Sequence, residues 1–280
     1  MRFLKAHGLA NDFLLVPLED APSGDASRWV PRFCDRHIGA GADGVILFAA
    51  EADGMRMRLV NADGGDAEIS GNGLRCVAAA GVRAGIAAPS HVVHTAAGPK
   101  AVAVREVGSG RYSVRAELGA PRLRSSEIPV SLSEERESVL DFPIEVAGQT
   151  VRAWLCSMGN PHCALFFDED VPDDVLRLLG PALESHPLFP NRTNVEFVTV
   201  RRPDEVRARF WERGVGYTKA SGTGASSAAV ASILAGRAAR ELRVVCDGGI
   251  LDVQWPEGGS LSQTGDVEVL VEGRWVGPQL

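Results

Sequence analysis

The chain has no CxxC pair, no apolar run long enough to cross a bilayer and no surplus of basic residues. Each absence excludes a class of protein. Its five cysteines, Cys34, Cys76, Cys156, Cys163 and Cys246, are dispersed and odd in number, the pattern of reduced thiols in a cytoplasmic protein. Lys and Arg number 29 against 36 Asp and Glu, for a net charge of -7. That balance argues against sequence-independent nucleic-acid binding, while a local site can still hold a small anionic substrate. The opening MRFLKAHGLANDF lacks the apolar core and cleavage site of a signal peptide, so none is expected, and no membrane span is expected either. What remains is an ordinary globular composition, with length for about two domains.

The chain repeats itself. At an offset of 151 residues, without a gap, Arg58 meets Arg209 and Asn61 meets Glu212. Ser70-Gly-Asn-Gly73 meets Ser221-Gly-Thr-Gly224, and the match continues through Ala78 with Ala229, Val93 with Val244 and Val102 with Val253. In both copies an alternating stretch, MRMRLVN and VRARFWE, reads as a half-buried strand. The small apolar segments after Gly71 and Gly222 read as buried helices of about 12 to 16 residues. Each is followed by a strand pair, at 92–94 with 100–104 and at 242–245 with 250–255. Further strands are expected at 13–16, 44–48, 112–117, 151–156, 163–167 and 194–200, and helices at 27–37 and 173–185. Residues 119–137, with Pro121, Pro129 and a SEERE run, read as a linker or exposed crossover. The expected fold class is α+β: two pseudo-symmetric β-rich domains, each wrapped around a central helix, with a cleft between them. The expected domains are residues 1–120, with 265–280 packing back onto them, and 121–264.

A buried helix that opens on Ser-Gly-Asn-Gly or Ser-Gly-Thr-Gly offers backbone N–H groups without intrahelical partners, at the end of the helix dipole that favours negative charge. Glycine lets a ligand come close, so the motif suits a carboxylate or phosphate. Two such motifs, each with one acid/base group, supply what is needed to take a proton from one face of a carbon and return it to the other. Serine is also among the best helix caps, and for a serine met alone capping is the better reading; the duplication is what raises the functional one.

Eight segments in order carry a resemblance: His7-Gly-Leu-Ala-Asn-Asp-Phe13, Gly41-Ala-Asp-Gly44, Asn61-Ala-Asp-Gly64, Gly71-Asn-Gly73, Met158-Gly-Asn-Pro-His162, Thr193-Asn-Val-Glu-Phe197, Glu212-Arg-Gly-Val-Gly216 and Gly222-Thr-Gly224. Together they resemble the diaminopimelate epimerase family over nearly the whole chain. The resemblance implies two pseudo-symmetric α+β domains and two-base α-proton transfer between L,L- and meso-diaminopimelate in lysine biosynthesis. It implies a small amino-acid substrate, no cofactor, no metal, no nucleic acid, no membrane, and the homodimer common in the family. By position, Asn11, Asn61, Asn160, Asn194, Glu212 and Arg213 resemble residues that hold the amino-acid ends of the substrate. Gly71, Asn72, Gly222 and Thr223 resemble those that bind the reacting carboxylate. His162 and Glu212 resemble groups that tune the acid/base pair. Singly, Glu212 and Arg213 would read as a surface ion pair, Asn11 and Asn194 as turn residues and His162 as a core histidine.

At positions 70 and 221 the family has its catalytic cysteines, and this chain has serine. A thiolate is the active base in such a pair, whereas a hydroxyl needs a general base of its own. Three readings stay open: epimerisation by Ser70 and Ser221 activated by His162, Glu212 or Lys219; a diverged racemase, isomerase or dehydratase of the same fold acting on another small carboxylate; and an inactive, substrate-binding Cys-to-Ser form. Ile69 and Ser226 also depart from the family pattern, which points to natural divergence.

Overall fold

A computed structural model of the chain describes residues 1–67 and 69–278. It separates into two compact units, one formed by Met1–Glu117 and the chain from Thr264 on, the other by Leu118–Gln263. Among the described residues no helix is long and apolar enough to cross a membrane.

The first unit runs β1 (Arg2–Gly8), β2 (Asn11–Pro17), α1 (Ala26–Cys34), β3 (Gly44–Glu51), β4 (Gly54–Asn61), β5 (Asp66–Ala67), α2 (Gly71–Arg83), β6 (Ser90–Thr95), β7 (Gly98–Gly108) and β8 (Arg111–Gly119). The chain then continues through β9 (Val139–Val146), β10 (Gln149–Ser157), β11 (Pro161–Phe167), α3 (Asp173–Glu184), β12 (Asn194–Arg202), β13 (Glu205–Glu212), β14 (Gly216–Thr218), α4 (Gly222–Leu234), β15 (Glu241–Cys246) and β16 (Gly249–Gln254), and closes with β17 (Leu261–Arg274). Shifted by 151 residues, β4, α2 and β6 land end for end on β13, α4 and β15. Pairing repeats as well. The joins β2–β3 and β4–β6 are parallel, as are β11–β12 and β13–β15. Parallel neighbours need a crossover, and α1, α2, α3 and α4 supply the four. The α+β architecture with one central helix per unit is the one expected.

Composition explains the central helices. Leu74 through Ala80 of α2 and Ala225 through Val230 of α4 are fully buried, and alanine combines high helix propensity with little bulk. Strands come so close that a Cβ at Gly81 would stand 2.0 Å from Met55 Sδ. Two of the serines buried in α4 turn back on their own helix: Ser232 Oγ donates to Ala228 O at 2.7 Å and Ser226 Oγ to Gly222 O at 3.2 Å.

The stretch read as an exposed crossover departs from that reading at Ile128. Its side chain is fully buried and joins the core of the second unit with Val139, Leu155, Leu165 and Phe197. Strands β1, β5, β9, β14 and β17 were not anticipated; β9 carries Pro143 inside it, and a proline normally argues against a paired strand.

Candidate active site

In the second unit, Ser221 ends an extended segment (φ −131°, ψ 125°) and caps α4, its Oγ accepting from Gly224 N–H at 3.2 Å. The first intrahelical bond, Ala225 N–H to Ser221 O at 2.9 Å, leaves the N–H groups of Gly222 and Thr223 before it, in the position that attracts anions. Glycine is required at 224, because a Cβ there would lie 2.9 Å from Phe210 Cδ1 and 3.0 Å from Ser221 Oγ. The Ser221 hydroxyl donates to Glu212 Oε2 at 3.1 Å, and Thr218 donates to Oε1 at 2.6 Å. The β13–β14 ladder sets Phe210 opposite Thr218, and residues two apart on a strand share a face, so Thr218 and Glu212 face the same way. Burial pushes Glu212 above its ordinary pKa, with the Thr218 and Ser221 bonds pulling back. A carboxylate moved toward neutrality and bonded to a hydroxyl is the arrangement of a general base with its client.

His162 is fully buried, with Nδ1 2.6 Å from Glu196 Oε1 and Nε2 2.9 Å from Asn160 Oδ1. Asn194 donates to Pro161 O at 2.8 Å and accepts from Arg213 N–H at 3.0 Å, fastening the strand bearing His162 to the turn after Glu212. The Arg213 guanidinium reaches Asn191 O at 3.2 Å, while Glu212 is taken up by Thr218 and Ser221, so the surface ion-pair reading of these two neighbours does not describe them. Lys219 is exposed. Ser226, the departure noted in the sequence, shares Gly222 O with Gln263 Nε2, which donates to that carbonyl at 2.8 Å and to Ser226 Oγ at 3.2 Å. The first turn of α4 is thereby held from behind.

The first unit repeats the cap: Ser70 (φ −127°, ψ 124°) accepts from Gly73 N–H at 3.1 Å, and Gly71 and Asn72 open the helix. A Cβ on Gly73 would meet Ile46 Cδ1 at 2.9 Å. Asn72 Nδ2 donates to Asn11 Oδ1 at 3.2 Å and Asn11 Nδ2 to Asp43 Oδ2 at 2.7 Å. Behind them Arg36 bonds Asp12 at 2.8 Å and Asp43 at 2.8 Å, and Lys5 lies 3.0 Å from Asp12. Burial pushes Asp12 up, but the Arg36 and Lys5 bonds outweigh it and hold the carboxyl below its ordinary range. Asn11 follows a turn in which Leu9 and Ala10 both have positive φ, 57° and 65°. For residues with a Cβ this costs about 1–3 kcal/mol each, and such strain gathers at functional sites. Asn61 ends β4 opposite Gly44, exposed, and is not drawn into the Asn11–Asn72 group.

None of the cysteines replaces the serines. All five are free and buried, and burial pushes the thiols of Cys34, Cys76 and Cys156 up to about 12 and that of Cys163 well above its ordinary value. Among the described residues no group of three or more His, Cys, Asp and Glu could hold a metal ion. Sequence reasoning missed Thr218, Glu196, Ser227 and Asp43. The signal for Glu196 was present: a carboxylate inside the apolar strand NVEFVTV.

A family model described as Diaminopimelate epimerase matches residues 3–123 and 154–270. A diaminopimelate epimerase from Desulforudis audaxviator is 43% identical over 285 residues, covering 99% of this chain and 99% of that one. One from Moorella thermoacetica is 45% identical over 258 residues, 91% of each chain. Among solved structures, a hydroxyproline epimerase from Agrobacterium vitis with bound trans-4-hydroxy-L-proline superposes with a TM-score of 0.68 at 17% identity, covering 98% of this chain and 91% of that one. At that identity it is the fold that is shared.

Proposed function

The chain belongs to the diaminopimelate epimerase family, and on that premise we propose that it interconverts L,L- and meso-diaminopimelate by cofactor-independent transfer of the α-proton, with Ser70 and Ser221 as the acid/base groups. The observation that carries this reading is the Ser221–Glu212 bond at the opening of a buried helix. As Ser221 Oγ takes the α-proton, its own proton passes to Glu212. The electron pair of the broken Cα–H bond moves into the reacting carboxylate. N–H groups at the openings of α2 and α4, from Gly71, Asn72, Gly222 and Thr223, meet the charge that develops there, the kind of stabilisation that weighs most in such steps. The Ser70 hydroxyl gives its proton to the opposite face and is reprotonated from water, while Glu212 releases the proton it took. In the reverse reaction Ser70 takes the α-proton as its own passes to water, and Ser221 returns a proton that Glu212 replaces. Asn11, Asn61, Asn160, Asn194 and Arg213 hold the ends of the amino acid, and His162 acts with Glu212 in tuning the pair.

A cytoplasmic place in lysine biosynthesis and a homodimer are part of the proposal. Five free cysteines suit a reducing compartment, and the dimer rests on the family resemblance. Light scattering reads the assembly as 29.7 kDa or twice that.

Purified chain mixed with L,L-diaminopimelate is expected to yield the meso isomer, and the ligand is expected to raise the thermal midpoint. Stabilisation without turnover would identify a substrate-binding form instead. Neither effect would point to another small carboxylate.

A further inference from the structure

Glu196 is a carboxylate with 1% of its surface exposed. A charge that deep is costly unless bonded, so where its bonds go is informative. Parallel pairing of β11 with β12 sets Ala164 beside Glu196, and the period of two puts His162 on the same face as Ala164. Glu196 Oε1 meets His162 Nδ1 at 2.6 Å. On the other side, α4 presents Ser227, whose hydroxyl donates to Glu196 Oε2 at 3.1 Å and accepts from the Cys156 thiol at 3.4 Å. Cys163 N–H adds a backbone bond to the carboxylate. The result is a hydrogen-bonded chain, Cys156–Ser227–Glu196–His162–Asn160, buried along its length and reaching solvent at half-buried Asn160.

We propose that Glu196 is a positioning residue. It accepts the Nδ1 proton of His162, and so fixes the rotation of the ring, keeps that proton on Nδ1 and turns Nε2 toward the Asn160 amide and the substrate. An Nε2–H donates to Asn160 Oδ1, and the neutral ring takes the amide turned to present its N–H. A buried acceptor on one ring nitrogen decides what the other nitrogen can do. The reach to substrate rests on the function proposed above; the tautomer does not. Other titratable groups that feel this pair are Glu212, Cys156 and Cys163. Burial keeps both thiols protonated, so Glu212 remains the acid that shares the environment of His162.

Glu196→Gln preserves shape but supplies an amide, which can donate as well as accept, so the tautomer is no longer dictated. Nitrogen-15 NMR of the histidine rings in the full chain, with His162 assigned through a His162→Gln variant, reads this without turnover. The parent is expected to keep its Nδ1 proton whatever the state of Nε2, and E196Q to mix the tautomers. With diaminopimelate as substrate, kcat/KM is expected to fall about 10- to 100-fold, less than the ~100-fold or more that a directly acting acid/base group contributes, with a displaced pH profile. Ser227→Ala, which removes one bond from Glu196, is expected to shift both readouts the same way by less, and it decides the matter if E196Q does not fold. Unchanged tautomer and pH profile in a folded variant would overturn the proposal, as would mixed tautomers in the parent. If the chain turns over no diaminopimelate, the tautomer test still stands.

Discussion

Replacing Ser70 and Ser221 together with cysteine is expected to raise the rate of diaminopimelate epimerisation about 100-fold or more, within the range that acid/base groups of suitable pKa supply. A hydroxyl must lose its proton while it takes one from carbon, so the reaction leans on whatever base accepts that proton. A thiol at a helix N-terminus is lowered toward neutrality and reaches the pair already as thiolate. Both serines are placed for this effect, each capping its helix through the N–H of a glycine three residues on. Single replacements divide the outcome. Ser221→Cys speeds removal of the proton on its own side and leaves the return step to Ser70, so isotope exchange in one stereoisomer is expected to outrun epimerisation. Initial rates with each isomer, run separately, measure it. A double variant no faster than the parent would mean that other groups move the proton.

The second large effect is expected at Glu212. Glu212→Gln should lower kcat/KM about 1000-fold, since it removes the acceptor of the Ser221 proton. Burial raises the carboxyl above its ordinary value, and the base form is the one needed. Activity in the parent therefore fades as pH falls through that raised pKa, with the acid limb above the usual carboxylate range, and the variant loses this limb. Stability moves the other way. A group with a raised folded pKa contributes stability that is fully present below its unfolded pKa and is lost as pH rises through the folded one. A neutral amide avoids that loss, so at neutral pH the variant is expected to be at least as stable as the parent, by thermal melt, while activity collapses. Parallel loss of both would mark Glu212 as structural.

The duplication was readable because a single offset aligns helix openings and flanking strands, and the same offset superposes β4, α2 and β6 on β13, α4 and β15. Ser70 and Ser221 could be named as helix-opening residues because serine before a small-residue helix is a local signal, and both do cap their helices. Long-range contacts left little trace. Thr218 meets Glu212 through a hairpin, Asn72 meets Asn11 over 61 residues, and Glu196 meets Ser227 over 31. Nothing in a window of sequence encodes such pairs. Ile128 was hidden by its polar surroundings, and β9 by Pro143. The departures at 70 and 221 were plain as letters; their physical setting was not, because the Glu212–Ser221 bond depends on the β13 strand and the α4 cap meeting in space.

Proton NMR of L,L- and meso-diaminopimelate in D₂O, with the parent chain and with Ser70→Ala and Ser221→Ala side by side, tests the central claim most directly. Loss of the α-proton signal with the other stereoisomer appearing, in the parent alone, is the expected result. Exchange that persists undiminished in both alanine variants, or its absence from a folded parent that binds the ligand, would contradict it.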